Sequence, residues 1–143
     1  MKVSQISTFI ENRPGRLHAA CEALSSSGVN IHTLSLADTS EFGILRLIVA
    51  DPVAGKNALE KAGYVAKLTD VVAVEVPDDA GGLTNLLAKA DQAGLGIEYM
   101  YAFSTSVGDR AIVIIRFTDP DRAIEELQKR GINVIEAVKL LKT

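Results

Sequence analysis

Gly15-Arg16-Leu17 and Gly28-Val29-Asn30-Ile31 reappear along the chain as Gly81-Gly82-Leu83 and Gly94-Leu95-Gly96-Ile97. Both matches, 15 to 81 and 28 to 94, span the same 66 positions. Asp51-Pro52 then matches Asp119-Pro120 and Gly63 matches Gly131, each at 68 positions, so the second copy holds two extra residues in between. A single match could be chance. A series interrupted by one consistent insertion indicates a duplicated unit. We therefore expect two domains, residues 1–69 and 70–143. The extra pair is expected in Ser104–Asp109, which is polar and contains Gly, as a hairpin loop should be.

Each copy has the same periodicity. Ser4–Ile10 and Val71–Val76 are short apolar-rich runs with strand character. Apolar residues then recur at helical spacing: Leu17, Ala20, Cys21, Leu24, and Leu83, Leu86, Leu87, Ala90. Gly28 and Gly94 follow as helix stops. Strands are expected at Val29–Ala37 and Gly43–Ala50, and again at Leu95–Phe103 and Ala111–Thr118. Asp51-Pro52 and Asp119-Pro120 open a second helix in each copy, because Asp accepts free amides and Pro fits the first turn. These helices run to about Gly63 and Gly131, before last strands at Tyr64–Leu68 and Val134–Leu140. The expected class is α+β: two ferredoxin-like βαββαβ modules side by side, sharing a continuous antiparallel sheet with helices on one face.

The third strand of each copy is apolar on both sides. Leu45, Leu47 and Val49 alternate with Ile44, Arg46 and Ile48, and Val113, Ile115 and Phe117 with Ile112, Ile114 and Arg116. Such a strand is usually covered on both faces, so the open face is expected to pack on a second chain in a homodimer.

Composition narrows the function. Apolar residues make up 48% of 143, enough for a core, and the net charge is −3. With Lys and Arg evenly spread, there is no basic stripe for nucleic acid. An RNA-binding module of the same βαββαβ order would need aromatic and basic residues on its third strand, which Phe42–Val49 does not combine. Cys21 is the sole cysteine, which excludes an internal disulfide and a cysteine-built zinc site. No apolar run is long enough to span a membrane, and no signal segment precedes the first strand, so the cytoplasm is the expected compartment.

Catalytic chemistry has little to work with. His18 lies between core positions on the first helix and reads as a surface residue. His32 sits on a strand next to Gly28–Ile31, within reach of a ligand bound there. Cys21 occupies the helical position of Leu87 and reads as a small core hydrophobe, not a nucleophile. Nucleophile-elbow and phosphate-loop motifs are absent, and no cofactor or metal is implied.

Asn12-Arg13-Pro14-Gly15-Arg16-Leu17 is more informative. Pro restricts one backbone angle, Gly allows close approach to the main chain, and the helix start exposes unpaired amides. That combination attracts a carboxylate. The plainer reading is an ordinary strand-to-helix turn with Leu17 anchoring the core.

Ile10 through Leu17, followed by Gly28-Val29-Asn30-Ile31, resembles the signature of the ACT domain family, above all its stand-alone tandem members. The resemblance extends over both halves. It implies modules that bind amino acids or similar small molecules at interfaces between paired modules, usually regulating an enzyme. It also implies ligand contacts at the turn Asn, the turn Gly and the Asn opening strand two, which here are Asn12, Gly15 and Asn30. The second copy departs from this pattern, with Asp78, Ala80 and Gly96 at the positions of Asn12, Pro14 and Asn30. Asp78 and Asp79 would repel a carboxylate, so this turn is not expected to bind the same ligand. Its strand Glu98–Phe103 is instead expected to line the back of the pocket formed by the first turn. The plainer role for Tyr99, Tyr101 and Phe103 is to fill a sheet face.

The candidate ligand-binding residues are thus Asn12, Arg13, Pro14, Gly15, Arg16, Leu17, Asn30, Ile31, Met100 and Tyr101. The expected function is non-catalytic sensing of an amino acid or small carboxylate, with the ligand between the two modules and a regulated metabolic enzyme as a further partner. The alternative is a structural dimerisation or regulatory subunit without a ligand of its own.

Overall fold

The computed structural model describes residues 1–38, 41–103 and 109–141. Two compact units are present: Ser4–Thr69, and Asp70–Thr143 together with Met1–Val3. Residues 104–108, within the stretch expected to hold the extra pair, lie outside the described residues.

In the first unit, β1 (Val3–Glu11) leads to α1 (Arg16–Ser26), β2 (Ile31–Asp38), β3 (Phe42–Val49) and α2 (Pro52–Lys61). β3 pairs antiparallel with β1, Ile6 opposite Leu47, and with β2, Leu34 opposite Leu47. The core follows from the helical stripe: Ala20 and Leu24 of α1 and Leu59 of α2 pack on Ile6, Ile10, Leu45, Leu47 and Val49. Asp51 caps α2 by accepting from the Ala54 amide at 3.1 Å, with Pro52 in the first turn. Such a cap contributes about 1 kcal/mol. α1 stops at Gly28, whose φ of 73° lets the Val29 amide turn back to the Leu24 carbonyl at 3.0 Å.

β4 runs from Ala66 to Pro77 as one strand where the sequence suggested two. No Gly or Pro stands between its ends, so nothing interrupts the pairing. It closes the first βαββαβ unit and opens the second: α3 (Gly82–Gln92), β5 (Ile97–Ala102), β6 (Arg110–Phe117), α4 (Pro120–Lys129) and β7 (Asn133–Ile135). β6 pairs antiparallel with β4 and β5, and β7 with β4. Leu86, Ala90, Ala123 and Leu127 cover Val72, Val74, Val113, Ile115 and Phe117. Asp119 repeats the cap of Asp51, accepting from Arg122 at 3.2 Å.

Three expectations need correction. Val134–Leu140 is not a strand: after Ile135 the chain turns into α5 (Ala137–Leu141). The Glu136 carbonyl accepts from the Lys139 and Leu140 amides, both at 3.0 Å, and the turn buries Leu140. Cys21 is half-exposed and outside the core cluster, as one helical step from Ala20 swings it to the flank of α1. Leu83, expected in the core stripe of α3, is exposed. The two-sided apolarity of β3 and β6 also has a local explanation, because Ile48, Ile112 and Ile114 are buried within the single chain. Their burial does not depend on a second chain.

Candidate functional site

β1 ends at Glu11 and α1 begins at Arg16, leaving Asn12 to Gly15 as the turn. The Asn12 amide donates to the Glu41 carbonyl at 2.9 Å, tying the turn to the approach to β3. The Arg13 amide donates to the Glu11 carbonyl at 2.9 Å, and its guanidinium pairs with the Glu11 carboxylate at 2.7 Å. Both side chains of that pair are exposed, so it orders the turn more than it stabilises it. Gly15 is the residue before the helix, in the left-handed region at φ 89°. A side chain there would be strained by the backbone, although a Cβ would meet nothing within 4 Å.

Gly15 has no side chain to cap α1, and the first turn carries no acidic residue. The Arg16 amide donates to the Arg13 carbonyl at 3.3 Å and that of Ala19 to the Gly15 carbonyl at 3.0 Å, leaving the amides of Leu17 and His18 at the positive end of the helix dipole. Asn12, Arg13, Pro14, Gly15 and Arg16 are exposed, and half-buried Leu17 packs on the core.

Asn30 and Ile31 lie at the other end of α1. The exposed Asn30 gives its carbonyl to the Ala50 amide at 3.0 Å. With His18, Cys21, Glu22, Ser25 and Val29, these two residues line a surface groove of about 390 Å³. The groove runs along α1 from His18 in its first turn, whereas Asn30 lies beyond the far end of the helix, whose 11 residues span about 16 Å at roughly 1.5 Å per residue. Within one module the structure does not bring Asn12 and Asn30 onto a common small ligand. His18 and Cys21 share the groove with Asn30, and the i, i+3 spacing that places them on one helix face is visible in the sequence. His32 is half-buried at the β2 irregularity between Ile31 and Thr33.

The second module answers the same position differently. Its turn supplies its own carboxylate: Asp79 Oδ1 accepts from the Gly81 amide at 3.0 Å. Gly82, in the place of Arg16, packs so closely on the Pro77 carbonyl that a Cβ would collide with it. At the far end of α3, Arg122 donates to the Ala93 carbonyl at 2.6 Å, beside a small cavity of about 200 Å³ that Gly96 helps to line. On β5, Met100 packs against the core of its own module, whereas Tyr101, opposite Ile114, projects from the other face. Strand alternation thus points these two candidate side chains in opposite directions.

Among the described residues, no group of three or more His, Cys, Asp or Glu side chains is placed to hold a metal ion. No helix there is long and apolar enough to cross a membrane.

The sequence matches the profile of the ACT domain pair over residues 1–143. The chain belongs to this family. Among solved structures, the ACT pair is similar to protein BT0572 from Bacteroides thetaiotaomicron, with 36% identity and a TM-score of 0.93 over 100% of this chain and 98% of that one. It shares its fold with the regulatory subunit of aspartate kinase from Thermus thermophilus in ligand-free form, at 18% identity, a TM-score of 0.64, and coverage of 88% of this chain and 90% of that one. Aspartate kinase from Clostridium acetobutylicum shows the fold again, at 11% identity and a TM-score of 0.54, over 90% of this ACT pair but 33% of that chain. No curated protein matches the sequence. Membership puts the chain among regulatory, small-molecule-binding modules.

Proposed function

We propose that this ACT pair is a non-catalytic sensor, binding an amino acid or similar small carboxylate at the Asn12–Leu17 turn. The observation that carries this reading is the uncapped start of α1 above the left-handed Gly15. The corresponding turn in the second module already holds the Asp79 carboxylate. The ligand's carboxylate meets the amides at the start of α1, and Asn12 offers a donor and an acceptor to its remaining polar groups.

Because Asn12 and Asn30 flank opposite ends of α1, the complete ligand shell requires paired modules, with the turn of one facing the Asn30 end of another. A homodimer supplies that pairing. Its support is the apolar surface left on the first unit: Leu34 and Leu36 of β2 and Phe42 of β3 are 42%, 45% and 49% exposed. Tyr101 and the main chain at Met100 are the second module's part of the proposal. A cytoplasmic metabolic enzyme is the proposed regulated partner.

A thermal-shift screen of the common amino acids tests this. A ligand at ~100 times its dissociation constant stabilises by about 2.7 kcal/mol, a rise of roughly 5–10 °C for a chain of 143 residues. A flat screen would favour a purely structural dimerisation subunit.

A further inference from the structure

The second unit holds a cavity of about 430 Å³, within the range of small-molecule sites and separate from the Asn12–Leu17 turn. Its apolar wall includes Phe103, Ile112 and Leu140, which are 7%, 6% and 2% exposed. The Phe103 amide donates to the Ile112 carbonyl at 2.8 Å, which fixes that wall, and α5 brings Leu140 into it.

Beside the wall stands Glu75, its side chain 22% exposed. Oε1 pairs with Arg110 Nε, and Oε2 accepts from Asn133 Nδ2 at 2.9 Å. Both oxygens are thus held in place, yet a carboxylate has about four acceptor positions, so each keeps capacity for another donor. The plain structural role, a pairing across β4, β6 and β7, accounts for the two bonds already made. It does not account for the space next to them. Glu136 and Lys139 add one further charge of each sign to the lining. Arg110 balances Glu75 and Lys139 balances Glu136, so the preference for a donor head rests on the acceptor positions left on Glu75.

We propose that this cavity is a second ligand site, for a small amine with an apolar body. The body packs on Phe103, Ile112 and Leu140, and the ammonium donates to Glu75. This is a ligand of different charge from that of the first-module turn, in a different unit, and it does not rest on the reading of that turn.

The test is an NMR titration of the full chain with 2-phenylethylamine, alongside 3-phenylpropanoate, which has the same body and a carboxylate. The amine is expected to shift Phe103, Ile112 and Leu140 signals saturably, and the carboxylate to bind at least about tenfold more weakly. Glu75→Gln should weaken the amine by a similar factor of about ten, since it removes a charge-assisted bond. Ile112→Phe should block both probes by filling the cavity. Asn12→Ala should bind the amine as the parent does, which separates this site from the turn. Absence of saturable shifts at millimolar amine, or equal binding of the carboxylate, would overturn the proposal. So would an amine affinity unchanged in Glu75→Gln. The comparison of the two probes on the parent chain decides even if a variant fails to fold.

Discussion

Asn12 and Asn30 stand at opposite ends of α1, Asn12 anchored through its amide to the Glu41 carbonyl and Asn30 through its carbonyl to the Ala50 amide. Two residues that the family resemblance assigns to one ligand are thus held apart by a rigid helix of 11 residues.

This separation makes the ligand site depend on assembly. Asn12→Ala and Asn30→Ala should each weaken binding by about 1–3 kcal/mol, through loss of a hydrogen bond to a buried polar ligand group. Mixing the two variants in equal amounts should restore about a quarter of the sites, since half of the dimers are then mixed and one of their two sites combines an intact Asn12 with an intact Asn30. Calorimetric titration of each variant and of the mixture checks this. If the mixture binds no better than either variant, the shell is not shared between copies.

Gly15 and Gly82 occupy neighbouring places in their turns and should respond differently to alanine. At Gly15 only the backbone objects, so Gly15→Ala should cost about 1–2 kcal/mol. At Gly82 the added Cβ meets the Pro77 carbonyl, a backbone atom that cannot rotate away. Gly82→Ala should therefore lower the melting temperature more, although its φ is ordinary. Paired thermal melts give the order directly.

Cys21 is a reporter for the Asn30 groove. Burial raises its thiol pKa above the ordinary value, which keeps the reactive thiolate scarce near neutral pH. Alkylation of the folded protein should be slow there and accelerate as the pH rises through and beyond the usual thiol range. A ligand bound against Asn30 should slow it further. Mass-spectrometric labelling at several pH values, with and without a ligand found in the screen, measures both effects.

Leu140 ties α5 to its unit. Leu140→Ala should destabilise by about 2 kcal/mol, the low end for a buried leucine, because a short terminal helix can settle into the space. Dye binding should rise as Ile112 and Phe103 lose their cover. Chemical denaturation with fluorescence detection checks both outcomes.

Local chemistry is what the order of amino acids can express, and much of the architecture is local. The Asp-Pro caps of α2 and α4, the glycine that ends α1 and the stripe from Leu17 to Leu24 each act over a few residues, so they are legible before any fold is known. The repeat makes the βαββαβ order legible twice, and the Asn12–Leu17 turn declares an uncapped helix start. Other features depend on atoms distant in the chain. Whether Val134–Leu140 extends or turns is decided by the site available to bury Leu140, not by its own apolar pattern. Whether Cys21 is core is decided by how α1 rotates onto the sheet. The span of α1 between Asn12 and Asn30, and the cavity that Phe103 from β5's end forms with Leu140 of α5, arise only when elements pack. Periodicity records which face of an element is apolar, but not what comes to lie against it.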